Sequence, residues 1–218
     1  RAVLGDRRFE AMSKAYLVDC PSRSFTLRNL GARLESWLWK NPKWAGAKQA
    51  LAVDIVRLEW ADIEAFDGKA ELALRPEDLG ADAGAKLKLK LQPYVRLLDL
   101  KYPADDLLLE VRKEDEDTDF ASNAFQERHK RKRVQAVAKL KPAEIFLAVH
   151  RVDDSVYFRR IEREEFAILR ALRDGKALGK AIEAAFRRSR VPGEERAGLV
   201  QQWFQNWAAL GWFCAPAR

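Results

Sequence analysis

Histidine and cysteine, the side chains best suited to acid–base catalysis, nucleophilic attack and metal binding near neutral pH, are scarce in this chain. Two of each occur among its 218 residues. His129 lies in a basic run and His150 at the end of a predicted strand, while Cys20 and Cys214 lie near opposite ends of the chain. No C-x-x-C pair and no glycine-rich phosphate loop of the G-x-x-x-x-G-K or G-x-G-x-x-G type is present. We therefore expect no catalytic residue, metal ligand or cofactor, and we interpret both histidines as surface or strand-edge residues.

Two basic clusters suggest a different chemistry, contact with phosphate groups. Lysines alternate with leucines from Lys86 to Leu91, and a basic block follows at Arg128–Arg133. Each cluster has a competing interpretation. A lysine row also protects an edge strand from pairing, and the acidic run Glu114–Asp117 favours a solvated connection around the block. The residues of the nucleic-acid alternative are Lys86, Lys88, Lys90, Arg128, Lys130, Arg131, Lys132 and Arg133.

The net charge of +7 is too dispersed to identify a nucleic-acid-binding protein. The chain has 40 basic and 33 acidic residues, and residues 176–218, with seven basic against three acidic, hold most of the excess. No stretch has the strong basic field of a dedicated nucleic-acid arm. Any binding to nucleic acid is therefore expected to be weak, independent of sequence and sensitive to salt.

The composition indicates a globular chain without membrane contact. Apolar residues make up 48% of it, which permits a packed core, yet no apolar run approaches the roughly 18 residues of a membrane span. Two cysteines are too few for a disulfide framework, which indicates a reducing, cytoplasmic location. Most of the seven tryptophans fall on apolar helix stripes, whereas Trp39 and Trp212 stand at element ends and are candidates for a contact surface.

The elements of the first half are mainly helical. Apolar residues at helical spacing predict helices around residues 9–16, from Ser24 or Thr26 to Asn41, and from Lys43 to Phe66. The period then changes to two, which predicts strands over residues 86–91 and 94–100. Pro103 begins a short helix.

The last 80 or so residues predict a hairpin followed by three helices. The strands Ile145–Val149 and Val156–Phe158 flank a turn, and helices start near Glu164, Leu178 and Glu194. The whole chain is therefore predicted to be α+β. We expect a mainly helical N-terminal domain (1–113, with strands near 86–100), a charged connection (114–133) and a small winged-helix-like domain (134–218).

Several stretches together resemble a known family. Residues 21–34, residues 54–66, residues 91–98 and the following Tyr102-Pro103 are similar to the N-terminal domain of the HvfC/BufC family, a domain to which DNA binding has been ascribed. The tail from Ile145 to Phe213 is similar to the C-terminal half of that family. Its hairpin and three helices also resemble the PqqD-type peptide-recognition module.

The resemblance implies a non-catalytic accessory protein of ribosomal peptide (RiPP) maturation in bacteria. Its partners would be a multinuclear non-haem iron oxidative enzyme and the Cys-containing, often copper-binding, precursor peptide that this enzyme modifies. The charged stretch 114–133 departs from the family, in which we expect a shorter and less charged segment. Two other functions stay open at this point, a DNA-binding transcriptional regulator of winged-helix type and a purely structural adaptor.

The family analogy also locates a candidate peptide site. A hairpin strand at a sheet edge can accept an extended peptide through main-chain hydrogen bonds, and here that strand runs from Val156 to Ile161. The analogy places the groove between this strand and the last helix, whose Leu199, Trp203 and Trp207 are predicted to face the core. The candidate peptide-binding residues are Val156, Tyr157, Phe158, Arg160, Gln201, Gln202 and Gln205.

Overall fold

A computed structural model describes residues 1–23, 25–75, 78, 84–118, 137 and 140–215, and within these it shows an α+β protein. The chain divides into two compact units. One comprises Arg1–Trp60 with Leu100–Ile145, and the other comprises Ala61–Asp99 with Phe146–Arg218. These units differ from the contiguous domains predicted from the sequence. The reason is that Leu89, Leu91 and Leu97 pack in the same buried cluster as the C-terminal helices.

The first unit is built from helices α1 (Asp6–Asp19), α2 (Leu34–Lys40), α4 (Ala104–Thr118) and the N-terminal part of α3 (Gln49–Asp67). Met12 and Tyr16 of α1 are buried against Trp37 of α2, and the rings of Tyr16 and Trp37 meet edge to face at 5.5 Å. The carboxylate of Asp54 in α3 is buried and accepts hydrogen bonds from the backbone N–H groups of Lys101 (2.7 Å) and Tyr102 (3.0 Å).

Two predicted helices are shorter in the structure. The second begins with a 3-10 turn, Leu27–Gly31, capped by the Thr26 hydroxyl, and α2 starts only at Leu34. The third begins at Gln49 rather than Lys43, because two 3-10 turns precede it and Gly46 takes a left-handed φ of 55°. A right-handed helix cannot pass through such a residue.

The charged connection predicted over 114–133 starts within a helix. Helix α4 continues to Thr118, so its last turn includes the first residues of that stretch. The predicted basic block at Arg128–Arg133 lies outside the described residues. None of the helices in the described part of the chain combines the length and the apolar character needed to cross a lipid bilayer.

The sheet consists of β1 (Arg96–Leu100), β2 (Ile145–Val152) and β3 (Ser155–Arg160), antiparallel and in the order β1-β2-β3. Strands β2 and β3 form the predicted hairpin, with Val152 opposite Ser155. Asp153, the first residue of the two-residue turn, has a φ of 50°. Left-handed backbone is what tight hairpin turns require, and aspartate tolerates it better than most residues.

The strand predicted over 86–91 is wrong as a regular element. Residues Gly84–Lys86 form a 3-10 turn, and a single bridge joins Leu91 to Phe213. The backbone N–H of Cys214 donates to the carbonyl of Lys90, so this segment pairs with the chain end rather than with the sheet. The alternation itself is confirmed, because Leu89 and Leu91 are buried while Lys86, Lys88 and Lys90 are exposed.

Three helices follow the hairpin, as predicted: α5 (Arg163–Arg173), α6 (Leu178–Phe186) and α7 (Gly193–Ala209). Gly175 and Gly211 follow α5 and α7 with φ values of 79° and 64°, the left-handed conformation that ends many helices. Trp203 and Trp207 of α7 are buried in the large core cluster of the second unit.

Candidate functional site

Among the strands of the described residues, β3 lies at the edge of the sheet, since β2 occupies the central position. The register pairs Phe158 with Val149 and Tyr157 with His150, and the N–H of Ile161 donates to the carbonyl of Phe146. Hydrogen-bonded and non-hydrogen-bonded pairs alternate in an antiparallel ladder. The backbone N–H of Tyr157, four residues before Ile161, therefore points toward β2 as the N–H of Ile161 does. The backbone N–H groups of the alternate residues, Val156, Phe158 and Arg160, therefore point away from β2.

The β3 side chains differ in exposure according to the face on which they lie. Val156 and Phe158 are half-buried, whereas Tyr157, on the opposite face, exposes 51% of its surface. Arg160, at the end of the strand, is exposed. The strand thus combines an apolar face, an accessible aromatic ring and a cation within six residues.

The interpretation of His150 as a surface or strand-edge residue is wrong, because its imidazole is buried in the central strand. It exposes only 4% of its surface and lies between the rings of Tyr157 (5.8 Å) and Trp212 (5.1 Å). Burial, with help from the nearby charge of Arg159, lowers the pKa of His150. Trp212 is fully buried too, so it offers no contact surface, whereas Trp39 is half exposed.

The glutamines of α7 lie on its exposed side, as predicted. Gln201, Gln202 and Gln205 are exposed, while Trp203 and Trp207 are buried. The indole N–H of Trp207 donates to the buried carboxylate of Glu165 over 2.7 Å, which fixes α7 against α5. Burial raises the pKa of Glu165, and this hydrogen bond opposes the rise.

The lysine row is only partly available for phosphate contacts. Lys90 Nζ lies 2.8 Å from the Glu71 carboxylate, and this bond raises the pKa of Lys90 and lowers that of Glu71. Lys86 and Lys88 are exposed. All three lysines are thus exposed, Lys90 is ion-paired, and the segment that carries them does not belong to the sheet.

Cys214 is a poor nucleophile in this structure. Its thiol is buried and donates to the carbonyl of Leu91 over 3.5 Å. Burial, reinforced by the neighbouring Glu71 carboxylate, raises the pKa of Cys214 to about 11. The thiol is therefore protonated near neutral pH. Among the described residues, no group of three or more His, Cys, Asp or Glu side chains is placed to hold a metal ion.

The sequence patterns did not single out an open groove between α6 and α7. Ala197, Val200 and Phe204 form its α7 wall and recur at helical spacing on a face different from that of Trp203 and Trp207. This second stripe was the available signal. It was obscured because α7 is apolar around much of its circumference.

No protein-family model matches this chain, and no curated protein is significantly similar to it.

Proposed function

We propose that this protein is a non-catalytic accessory protein that binds a ribosomally made, Cys-containing precursor peptide and a multinuclear non-haem iron oxidative enzyme in the bacterial cytoplasm. In this proposal the chain belongs to the HvfC/BufC family, and its hairpin and last three helices form a PqqD-like, winged-helix-like module. The observation that carries the proposal is the edge position of β3 in the unit that also contains α5, α6 and α7.

Strand addition is the mode of peptide binding that this edge supports. An incoming strand would pair with the backbone groups of β3 that point away from β2, and its alternate side chains would meet Val156 and Phe158 or Tyr157. Arg160 would add attraction for an acidic residue of the peptide. The family analogy would add Gln201, Gln202 and Gln205 of α7 as the opposite wall of the groove.

A non-catalytic role agrees with the titratable groups of this unit. The Cys214 thiol is protonated near neutral pH, and the His150 imidazole is enclosed by aromatic rings. In this proposal the oxidative chemistry belongs to the iron centre of the partner enzyme, to which the bound peptide is presented.

The test is calorimetric titration of the full chain with the Cys-containing peptide encoded beside its gene. Phe158→Pro removes an N–H that points away from β2, and edge strands tolerate proline at such positions. We expect this variant to stay folded and to bind the peptide at least about 10-fold more weakly. Tyr157→Pro is the matched control, because it removes an N–H directed at β2 and should lower thermal stability.

A folded Phe158→Pro variant that binds the peptide with unchanged affinity would rule out this edge. If the variant does not fold, Val156→Pro provides the same test two residues nearer the turn. Sequence-specific DNA binding in the nanomolar range at physiological salt would instead support the winged-helix regulator.

A further inference from the structure

We propose that the groove between α6 and α7 is a docking site for an amphipathic helix, with an acidic polar flank, supplied by another protein. The groove encloses about 790 Å³. Its apolar walls are formed by Leu178, Ile182 and Phe186 of α6 and by Ala197, Val200 and Phe204 of α7. No residue of β3 lines this groove, and Gln201 is the one residue it shares with the proposed peptide site. The inference therefore does not depend on strand pairing at β3.

The apolar lining is held in place from behind. The ring of Phe186 stacks on Trp203 at 6.1 Å with the planes 10° apart. The ring of Phe204 packs on Trp207 at 5.0 Å and on Phe213 at 5.9 Å. Because these aromatic partners belong to the buried core, the groove loses little conformational freedom when a ligand binds.

Both walls of the groove are helices, and this determines the conformation of the ligand. The main-chain groups of a helix interior are bonded within the helix, so the walls offer no ladder to an extended peptide. An extended ligand would bury unpaired N–H and C=O groups, which is costly. A helical ligand satisfies its own backbone and needs only apolar side chains at positions i, i+3, i+4 and i+7.

The charges around the groove select the polar flank of that ligand. Arg187 and Arg196 line it together with one acidic residue, Glu183. The Arg196 guanidinium is held in position, since it lies 5.3 Å from the centre of the Phe186 ring and its Nε donates to the carbonyl of Val191 over 3.0 Å. Beyond the lining, the joining segment adds Arg188 and Arg190 and the first turn of α7 adds Glu194 and Glu195, so the two arginines of the lining decide the local charge. An acidic flank is therefore favoured over a basic one.

The probe is a synthetic helical peptide of about 18 residues, similar in length to α7, with leucine and phenylalanine at the four anchor positions and glutamate on the flanks. A second peptide replaces each glutamate with lysine, and a third has the first peptide's composition but no apolar stripe. Fluorescence anisotropy with the full chain should give a Kd of about 10 µM for the glutamate peptide and at least about 10-fold weaker binding for the other two. Added salt should weaken the first interaction.

Two variants of α7 locate the binding. Ala197→Glu places a carboxylate in the groove, whereas Ala209→Glu makes the same substitution on another exposed face of the helix. We expect the first variant to lose the glutamate peptide and the second to bind it within about twofold of the unchanged chain. Arg187→Glu should reverse the preference in favour of the lysine peptide. Thermal unfolding of each variant checks that the fold is retained.

Three results would overturn the proposal. The glutamate and lysine peptides could bind equally well, Ala197→Glu could bind as tightly as the unchanged chain, or no peptide could bind. Sedimentation velocity tests whether a second copy of the chain occupies the groove instead. If the chain self-associates and Ala197→Glu abolishes this, the groove is an interface between two copies of the chain and the proposed helical ligand is wrong.

Discussion

The environment of His150 illustrates how a single side chain depends on residues far from it in the sequence. The imidazole contacts Tyr157 from β3 and Trp212 from the chain end, and it is 4% exposed. Neither the His150 Nδ1 nor the Trp212 Nε1 has a hydrogen-bond partner among the described residues. A charged imidazole would be poorly solvated at this position, so the folded protein favours the neutral form.

This leads to a prediction about stability and pH. Burial lowers the pKa of His150 below its unfolded value of 6.5, so protons bind more tightly to the unfolded chain. The contribution of neutral His150 to the free energy of unfolding is fully present above the unfolded pKa. It is lost as the pH falls through the lower pKa of the folded protein. Urea unfolding between about pH 7.5 and about pH 5 should show a declining free energy of unfolding.

The variant His150→Phe provides the comparison, because it keeps an aromatic ring but cannot be protonated. Its free energy of unfolding should decline less over the same pH range. Parallel declines in the two proteins would show that other groups cause the acid sensitivity.

At the scale of elements, the hairpin that contains the candidate peptide edge depends on one strained turn residue. Asp153 has a φ of 50°, a conformation that branched side chains strongly disfavour. The turn sets the β2–β3 register from Val152 opposite Ser155 to Leu147 opposite Arg160. A one-residue slip would move every side chain of β3 to the other face.

We therefore predict that Asp153→Val lowers the free energy of unfolding by about 1–2 kcal/mol, because valine is strained in left-handed backbone. Asp154→Val is the matched control, since it makes the same chemical change at the neighbouring turn residue, which does not have a positive φ. Urea unfolding of both variants measures the difference. Equal losses would show that the side chain rather than the backbone conformation of Asp153 is what matters.

At the scale of the whole molecule, the two compact units interleave along the chain. Residues 61–99 belong with 146–218, and they contribute Leu89, Leu91, Tyr94 and Val95 to the same core as Trp203 and Trp207. Residues 61–99 also form hydrogen bonds with the chain end. The N–H of Leu74 donates to the carbonyl of Phe213, and the N–H of Gln92 donates to that of Trp212, over 2.9 and 2.8 Å.

A fragment that covers only residues 134–218, the C-terminal domain predicted from the sequence, should therefore not fold by itself. It would expose the apolar core that residues 61–99 cover and leave the chain end without its pairing partners. Circular dichroism during heating should show no cooperative transition, and addition of a peptide covering residues 61–99 should restore one. Cooperative unfolding of the fragment alone would contradict this prediction.

Local periodicity by itself determined most of the elements. The helix after Leu178, the hairpin around Asp153-Asp154 and the helix ends at Gly175 and Gly211 follow from residue spacing and turn chemistry. These features depend on neighbours within one turn or one strand pair, so they can be recognised without a tertiary structure. The candidate edge strand, from Val156 to Arg160, was located in the same way.

Tertiary structure alone decided which segments are neighbours. The alternating leucines of residues 86–91 show which face of the segment is buried. Only the fold shows that the segment pairs with the chain end, through the bridge between Leu91 and Phe213. The hydrogen bond from Gln92 to the carbonyl of Phe213 likewise joins residues 121 positions apart. The burial of His150 beneath Trp212 and the open groove beside α7 likewise arise from contacts between distant segments. A period of two or 3.6 specifies a face and not the segment that covers it, because many apolar segments could bury the same face.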